Sequence, residues 1–160
     1  MSATRGLVTL KDAEAISQRL MSKLEGVSHY KVCGSTRRQR TSVNDIDIVL
    51  VLNDKHKFSS SLVRETKQVL RHGNTLISIV DFHDVQIDFL ITTAKHYGAA
   101  ILHYTGSKQF NIRCRTEAKN HGLLLNEKGL WSGQKLLSAS ERQILSLLGK
   151  QEYLDPITRS

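Results

Sequence analysis

Gly34-Ser35-Thr36-Arg37-Arg38-Gln39-Arg40-Thr41-Ser42-Val43-Asn44-Asp45-Ile46-Asp47-Ile48-Val49-Leu50-Val51-Leu52 sets a Gly-Ser pair, three arginines and two alternate aspartates in one short unit. The β-branched, apolar run that ends it predicts a buried strand over 45–52, closed by Asn53-Asp54. Side chains of a strand alternate between faces, so Asp45 and Asp47 point one way while Ile46 and Ile48 point into a core. Two neighbouring carboxylates repel unless a cation lies between them, and Mg²⁺ is commonly held by one or two carboxylates together with substrate phosphates. The Gly34-Ser35 pair reads as a turn. Its backbone N–H groups, the Ser35 hydroxyl and the Arg38 guanidinium suit a triphosphate. Arg37 and Arg40 read equally well as solvated surface or as part of that grip.

Metal-dependent phosphoryl transfer calls for a further acid near the attacking hydroxyl. The strand-like run 85–91 supplies it. Asp84 and Asp88 share a face, and Asp88, set between Ile87 and Phe89, is the stronger candidate because an uncompensated acid inside an apolar strand is costly. Asp84 reads as a turn residue. A second constellation lies on a predicted helix over 108–121, where Lys108, Asn111, Arg115 and Lys119 fall on one face and Phe110, Cys114 and Ala118 on the adjacent packed face.

The chain has 160 residues, enough for a real core, and 23 Lys+Arg against 15 Asp+Glu give a formal charge of +8. The excess is clustered over 31–40, without an acid, and over 105–120, with Glu117 alone, which points to a polyanionic partner. Cys33 and Cys114 lack any pairing or zinc-ligand spacing and read as buried free thiols of a reducing compartment. No apolar run approaches the roughly 18–20 residues of a membrane span, and the first twelve residues lack a signal-peptide core, so a soluble intracellular protein is expected. The seven histidines lack metal-ligand spacing. Neither GxxxxGK[ST] nor GxGxxG is present, which argues against the common nucleotide-binding folds. Trp131 reads as core.

The remaining pattern predicts helices over 11–25, 59–71, 93–103 and 140–148, the last opened by a Ser140/Gln143 capping box. Strands are expected over 29–33 and 75–80, the latter pairing with 85–91 through a hairpin at 81–84. Short strands are expected around 123–125 and 130–131, flanking Asn126-Glu127-Lys128-Gly129. Thr105-Gly106-Ser107 marks a boundary.

Together these residues resemble the X-family DNA polymerases of the nucleotidyltransferase superfamily. The likeness runs through Gly34-Ser35-x-Arg37-Arg38, Asp45-Ile46-Asp47, Val85-Gln86-Ile87-Asp88, Tyr104-Thr105-Gly106-Ser107, Phe110-Asn111, Arg115, Leu125-Asn126-Glu127 and the tail from Ser140-Glu141 to Arg159. It implies an α/β nucleotidyltransferase palm over 1–104, a mixed sheet with flanking helices. A small α+β domain over 105–160, helical with a short β hairpin, would clamp the nascent base pair. The implied activity is template-directed addition of deoxynucleotides to a primer 3′-end at short gaps, in DNA repair, with two Mg²⁺ ions or Mn²⁺ in their place. Asp45 and Asp47 would bind both metals and Asp88 the catalytic one. Ser35 and Arg38 would hold the β- and γ-phosphates, with Gly34, Asn44, Gly106 and Ser107 completing the nucleotide site. His103 and Tyr104 would lie by the sugar, Asn111 at the minor-groove edge of the incoming base and Arg115 on the templating side. Lys108, Lys119, Arg37 and Arg40 would contact DNA.

The resemblance is to the minimal arrangement of small viral members, acting as monomers on gapped or primer–template DNA, with no membrane association and no room for a lyase or helix-hairpin-helix domain. The chain departs from the pattern at Thr36, where an aromatic is usual, at Gln39, at Gln86, where a basic residue is common, and at His103, which replaces a tyrosine and bears on sugar selection. A template-independent or small-substrate nucleotidyltransferase is an alternative, since the same palm supports several acceptors. A catalytically silent DNA-binding module is another, and the acid trio argues against it.

Overall fold

The computed structural model describes residues 7–160. The first six residues, on which half of the signal-peptide reading rests, lie outside the described residues. The organising element is β4 (Asp45–Leu52), the apolar strand expected from its sequence, whose Ile46, Ile48, Val49 and Leu50 have no exposed surface. It sits inside a five-stranded mixed sheet of order β2-β4-β7-β6-β5, formed with β2 (Val27–Val32), β5 (Gln68–His72), β6 (Leu76–Val80) and β7 (Gln86–Thr92). Only β4 and β7 run parallel; every other neighbouring pair is antiparallel.

Strand alternation gives the sheet two unlike faces. Ile46, Ile48, Leu50, Ile77, Ile79, Ile87 and Phe89 form the larger core with Ala13, Ile16 and Leu20 of α1 (Leu10–Lys23) and Phe58 and Leu62 of α3 (Lys55–Glu65). The Thr9 hydroxyl accepts from the Asp12 N–H at the start of α1, and the Asp54 carboxylate from the Lys57 N–H at the start of α3. Both are N-caps that satisfy an otherwise orphan donor. A two-stranded pair, β1 (Val8–Thr9) with β3 (Ser42–Val43), lies beside this layer.

The opposite face carries Asp45, Asp47 and Asp88 at one end and Val49 and Leu90 at the other. The apolar end is covered by Ala100 and Ile101 of α4 (Tyr97–Thr105), together with Cys33. The other side of α4 contributes Ala99 and Leu102 to a second core with Phe110, Cys114 and Ala118 of α5 (Lys108–Asn120) and Ile144 and Leu145 of α6 (Glu141–Leu147). One helix thus belongs to two cores. The sheet β8 (Leu124–Asn126), β9 (Gly129–Ser132), β10 (Lys135–Ser138) completes the C-terminal part.

Several local expectations need correction. The segment 59–71 is not one helix: α3 starts four residues earlier and stops at Glu65, and Gln68–His72 pairs as an exposed edge strand with β6. Backbone donors at Lys67 and beyond find partners on β6, beginning with Lys67 N–H to the Val80 carbonyl at 2.9 Å, and so leave the helical ladder. The Gly34-Ser35 turn is the first half of a one-turn helix, α2 (Gly34–Arg37). The expected C-terminal hairpin is a three-stranded sheet, because Lys135–Ser138 also pairs. The capping box at α6 is half formed: Ser140 accepts from the Gln143 N–H at 3.3 Å, but the Gln143 side chain bonds Ser138, whose hydroxyl in turn accepts from the Ser140 N–H. Cys33 and Cys114 are buried free thiols, as expected, and burial pushes the Cys33 thiol up to about 12.

Candidate active site

The parallel register of β4 and β7 sets Asp47 directly opposite Asp88 and Asp45 opposite Gln86. Directly opposed residues share a face, so all three carboxylates project from one end of one face. Their crowding has an electrostatic signature. Burial, followed by the charges of Asp45 and Asp88, pushes the Asp47 carboxyl up to about 7, against the pull of Arg38. Burial and then the Asp88 charge raise Asp45 as well. Asp88 accepts a 3.0 Å hydrogen bond from the Gln86 amide. Asp84 lies apart in the β6–β7 turn, with φ of 62° and an ion pair to Lys67.

The Gly-Ser segment closes one side of this row. The Cys33 N–H donates to the Asp47 carbonyl at 2.7 Å, and α2 begins at Gly34, with φ of 59°. A Cβ at Gly34 would lie 2.3 Å from Asp47 Oδ2, so only glycine lets the carboxylate and the first turn of α2 approach this closely. The first intrahelical bond here is from the Arg37 N–H to the Cys33 carbonyl, so the amides of Gly34, Ser35 and Thr36 precede the ladder. Ser35 is half-buried and Asn44 exposed.

The second wall comes from the C-terminal part. Arg38 donates to the Thr105 carbonyl at 2.6 Å, and a Cβ on Gly106 would lie 2.9 Å from Arg38 Nη1. Gly106 has φ of 70°, and the Gly106–Ser107 peptide is cis. Ser107, expected at the nucleotide, caps α5 by accepting from the Phe110 N–H at 3.2 Å. His103 and Tyr104 stack edge to face with ring centroids 4.7 Å apart, and Asn111 donates to the His103 carbonyl at 2.7 Å. Burial, partly offset by the Glu127 charge, holds the His103 imidazole below its ordinary range. Lys108, Arg115, Lys119 and Arg40 are exposed, and Trp131 is half-buried with its indole N–H on Asn126.

Arg37 is the exception to its expected place. Instead of facing a nucleic acid, it donates to both carboxylate oxygens of Glu141 at 2.7 and 2.8 Å and to the Thr105 hydroxyl at 2.8 Å. The fully buried Arg159 reaches the same carboxylate at 3.0 Å and also donates to the carbonyls of Tyr153 and Leu154. Burial alone would push Glu141 up, but the Arg37 hydrogen bond and the Arg159 charge together hold it below its ordinary range. The signal of this triad in the sequence was faint, since Glu141 reads simply as a favourable acid in a first helical turn.

The acid row fits a divalent cation by its chemistry: hard oxygen donors whose mutual repulsion a dication would relieve. As placed, no three His, Cys, Asp or Glu side chains among the described residues have metal-ligating geometry.

Comparison with known proteins finds similarity to DNA polymerases. The family model described as DNA polymerase beta thumb matches residues 100–160. The chain is 28% identical over 147 residues to DNA polymerase/3'-5' exonuclease PolX of Bacillus subtilis, covering 88% of this chain and 26% of that protein. It is 25% identical over 139 residues to Repair DNA polymerase X of African swine fever virus, covering 72% of this chain and 73% of the viral protein. DNA polymerase lambda of Rattus norvegicus is 24% identical over 160 residues, with 79% of this chain and 28% of that protein covered. The chain thus spans about a quarter of the bacterial and rat relatives and most of the viral one.

Proposed function

Because the chain belongs to the X family of DNA polymerases, we propose that it is a template-directed DNA polymerase that adds deoxynucleotides to a primer 3′-end at short gaps, in DNA repair. The observation that carries this reading is the register of β4 and β7, which aligns Asp47 with Asp88 beside the Gly34-Ser35 segment. In this reading residues 1–104 form the catalytic palm and 105–160 the part that checks the nascent pair. Asp45, Asp47 and Asp88 hold two Mg²⁺ ions, or Mn²⁺ in their place, which supply Lewis-acid activation of the primer hydroxyl and neutralise charge on the leaving pyrophosphate.

The protein's own groups do the rest. Asp88 accepts the proton of the primer 3′-hydroxyl. The new bond joins that oxygen to the α-phosphorus while the bond to the β-phosphate oxygen breaks. The Ser35 hydroxyl, the Gly34–Thr36 amides and Arg38 bind the β- and γ-phosphates, where negative charge accumulates. Burial lowers the Arg38 guanidinium, but an arginine remains fully charged in the neutral range. His103 and Tyr104 bound the sugar, Asn111 the incoming base, and Arg115 the template. Exposed Lys108, Lys119 and Arg40 contribute salt-dependent affinity for phosphates.

Primer extension with and without a template strand tests the reading against the template-independent alternative. Addition of only the complementary nucleotide, lost when the template is removed, is expected. Equal addition of all four nucleotides without template would replace the proposal by that alternative.

A further inference from the structure

The acid row continues across the sheet. Asp47 on β4 pairs with Asp88 on β7, Asp88 with Ser78 on β6, and Ser78 with Arg71 on β5. Directly paired residues share a face, so one line of side chains runs Asp47, Asp88, Ser78, Arg71. Strands lie about 4.8 Å apart, which puts the Arg71 backbone about 10 Å beyond that of Asp88.

The two ends of this line are unequal. On the β2 side, Gly34 abuts Asp47 and Arg38 pulls on it, so the phosphate grip occupies that end. In an in-line displacement the attacking oxygen approaches from the side opposite the leaving pyrophosphate. The growing strand therefore enters over β7, β6 and β5. Toward Val49 and Leu90 the face is roofed by Ala100 and Ile101.

Arg71 is equipped for that path. It is exposed on an edge strand whose five residues, Gln68–His72, include no acid. Lys67 is paired with Asp84 and Lys23 with Glu65, whereas the Arg71 side chain has no hydrogen bond or ion pair to any described residue. Between it and Asp88 stands only the short, buried Ser78.

We propose that Arg71 binds the phosphodiester backbone of the strand being extended, and that the β6–β5 half of the sheet is the track along which that strand lies. The inference rests on the polymerase reading and adds to it a contact on the primer strand. A rise of about 3.4 Å per nucleotide places the contact among the first three phosphates from the 3′-end. An edge-strand arginine can also serve only to discourage pairing between molecules. That role predicts a change in self-association and none in DNA binding.

The test is a cycle between the side chain and single phosphates. Equilibrium binding of gapped DNA by the wild type, Arg71→Ala and Arg71→Lys is measured with native primers. It is repeated with primers carrying one neutral methylphosphonate at the first, second or third phosphate from the 3′-end. Arg71→Ala is expected to weaken binding about tenfold and to reduce the slope of log K against log salt by about one. At one of the three positions, neutralising the phosphate should cost the wild type about tenfold and the alanine variant nothing further, with Arg71→Lys intermediate. Unchanged affinity in Arg71→Ala, or a loss that adds in full at all three positions, overturns the inference while leaving the polymerase reading in place. Failure of the wild type to bind gapped DNA overturns both.

Discussion

Asp47 is held under electrostatic strain by burial and by two neighbouring acids. Burial, followed by the charges of Asp45 and Asp88, pushes its carboxyl up to about 7 from the ordinary 3.8. Between those values the folded protein holds more protons than the unfolded one, so stability falls as pH rises through the window and levels off above about 7. Asp47→Asn removes the penalty. The variant is expected to melt higher than the wild type at pH 8 and to lose that advantage near pH 4, and Mg²⁺ at pH 8 should raise the melting temperature of the wild type more than that of the variant. Thermal unfolding at the two pH values checks this, and a variant that melts lower than the wild type at pH 8 would contradict it. The acids were legible in the sequence because strand alternation alone puts Asp45 and Asp47 on one face. Arg37 was not, because nothing local to an arginine distinguishes open solvent from a carboxylate 104 residues further along the chain.

At the scale of elements, what the sequence concealed was decided by pairing partners. Over 59–71 the apolar spacing suits a helix, yet Val69 and Leu70 end as exposed positions on an edge strand because β6 offers that segment a hydrogen-bonding partner. By contrast β4, α1 and α5 carry their periodicity and caps within themselves, and they form within a few residues of where the pattern places them. The link between α2 and α6 is of the first, hidden kind. Glu141 serves two arginines, one of them fully buried, and its removal would leave Arg159 uncompensated inside the C-terminal core. Breaking a buried pair from one side costs about 3–5 kcal/mol. Glu141→Ala is therefore expected to lower stability by about that amount, and Glu141→Gln, which keeps an acceptor oxygen, by clearly less. Denaturant unfolding of both variants measures it, and a loss below about 1 kcal/mol in Glu141→Ala would show that the triad does not join the two parts.

For the molecule as a whole, α4 is shared between the core behind the acids and the core of the C-terminal part, and the Arg37–Glu141 pair crosses the same junction. The same helix carries Tyr104 and His103, so the placement of these two residues depends on how the two parts dock. The acid row occupies one end of this junction, and α5 presents exposed cations on a chain of net charge +8. In the proposed reaction Asp88, aligned with Asp47 by strand register, is the group that takes the primer hydroxyl proton. The most direct measurement is single-turnover extension of a one-nucleotide gap with Mg²⁺ by the wild type and Asp88→Asn, alongside nucleotide binding by both. The variant's rate is expected to fall at least about a thousandfold, with nucleotide affinity largely kept because Asp45 and Asp47 remain; extension by Asp88→Asn at a rate near that of the wild type would show that another group takes the proton.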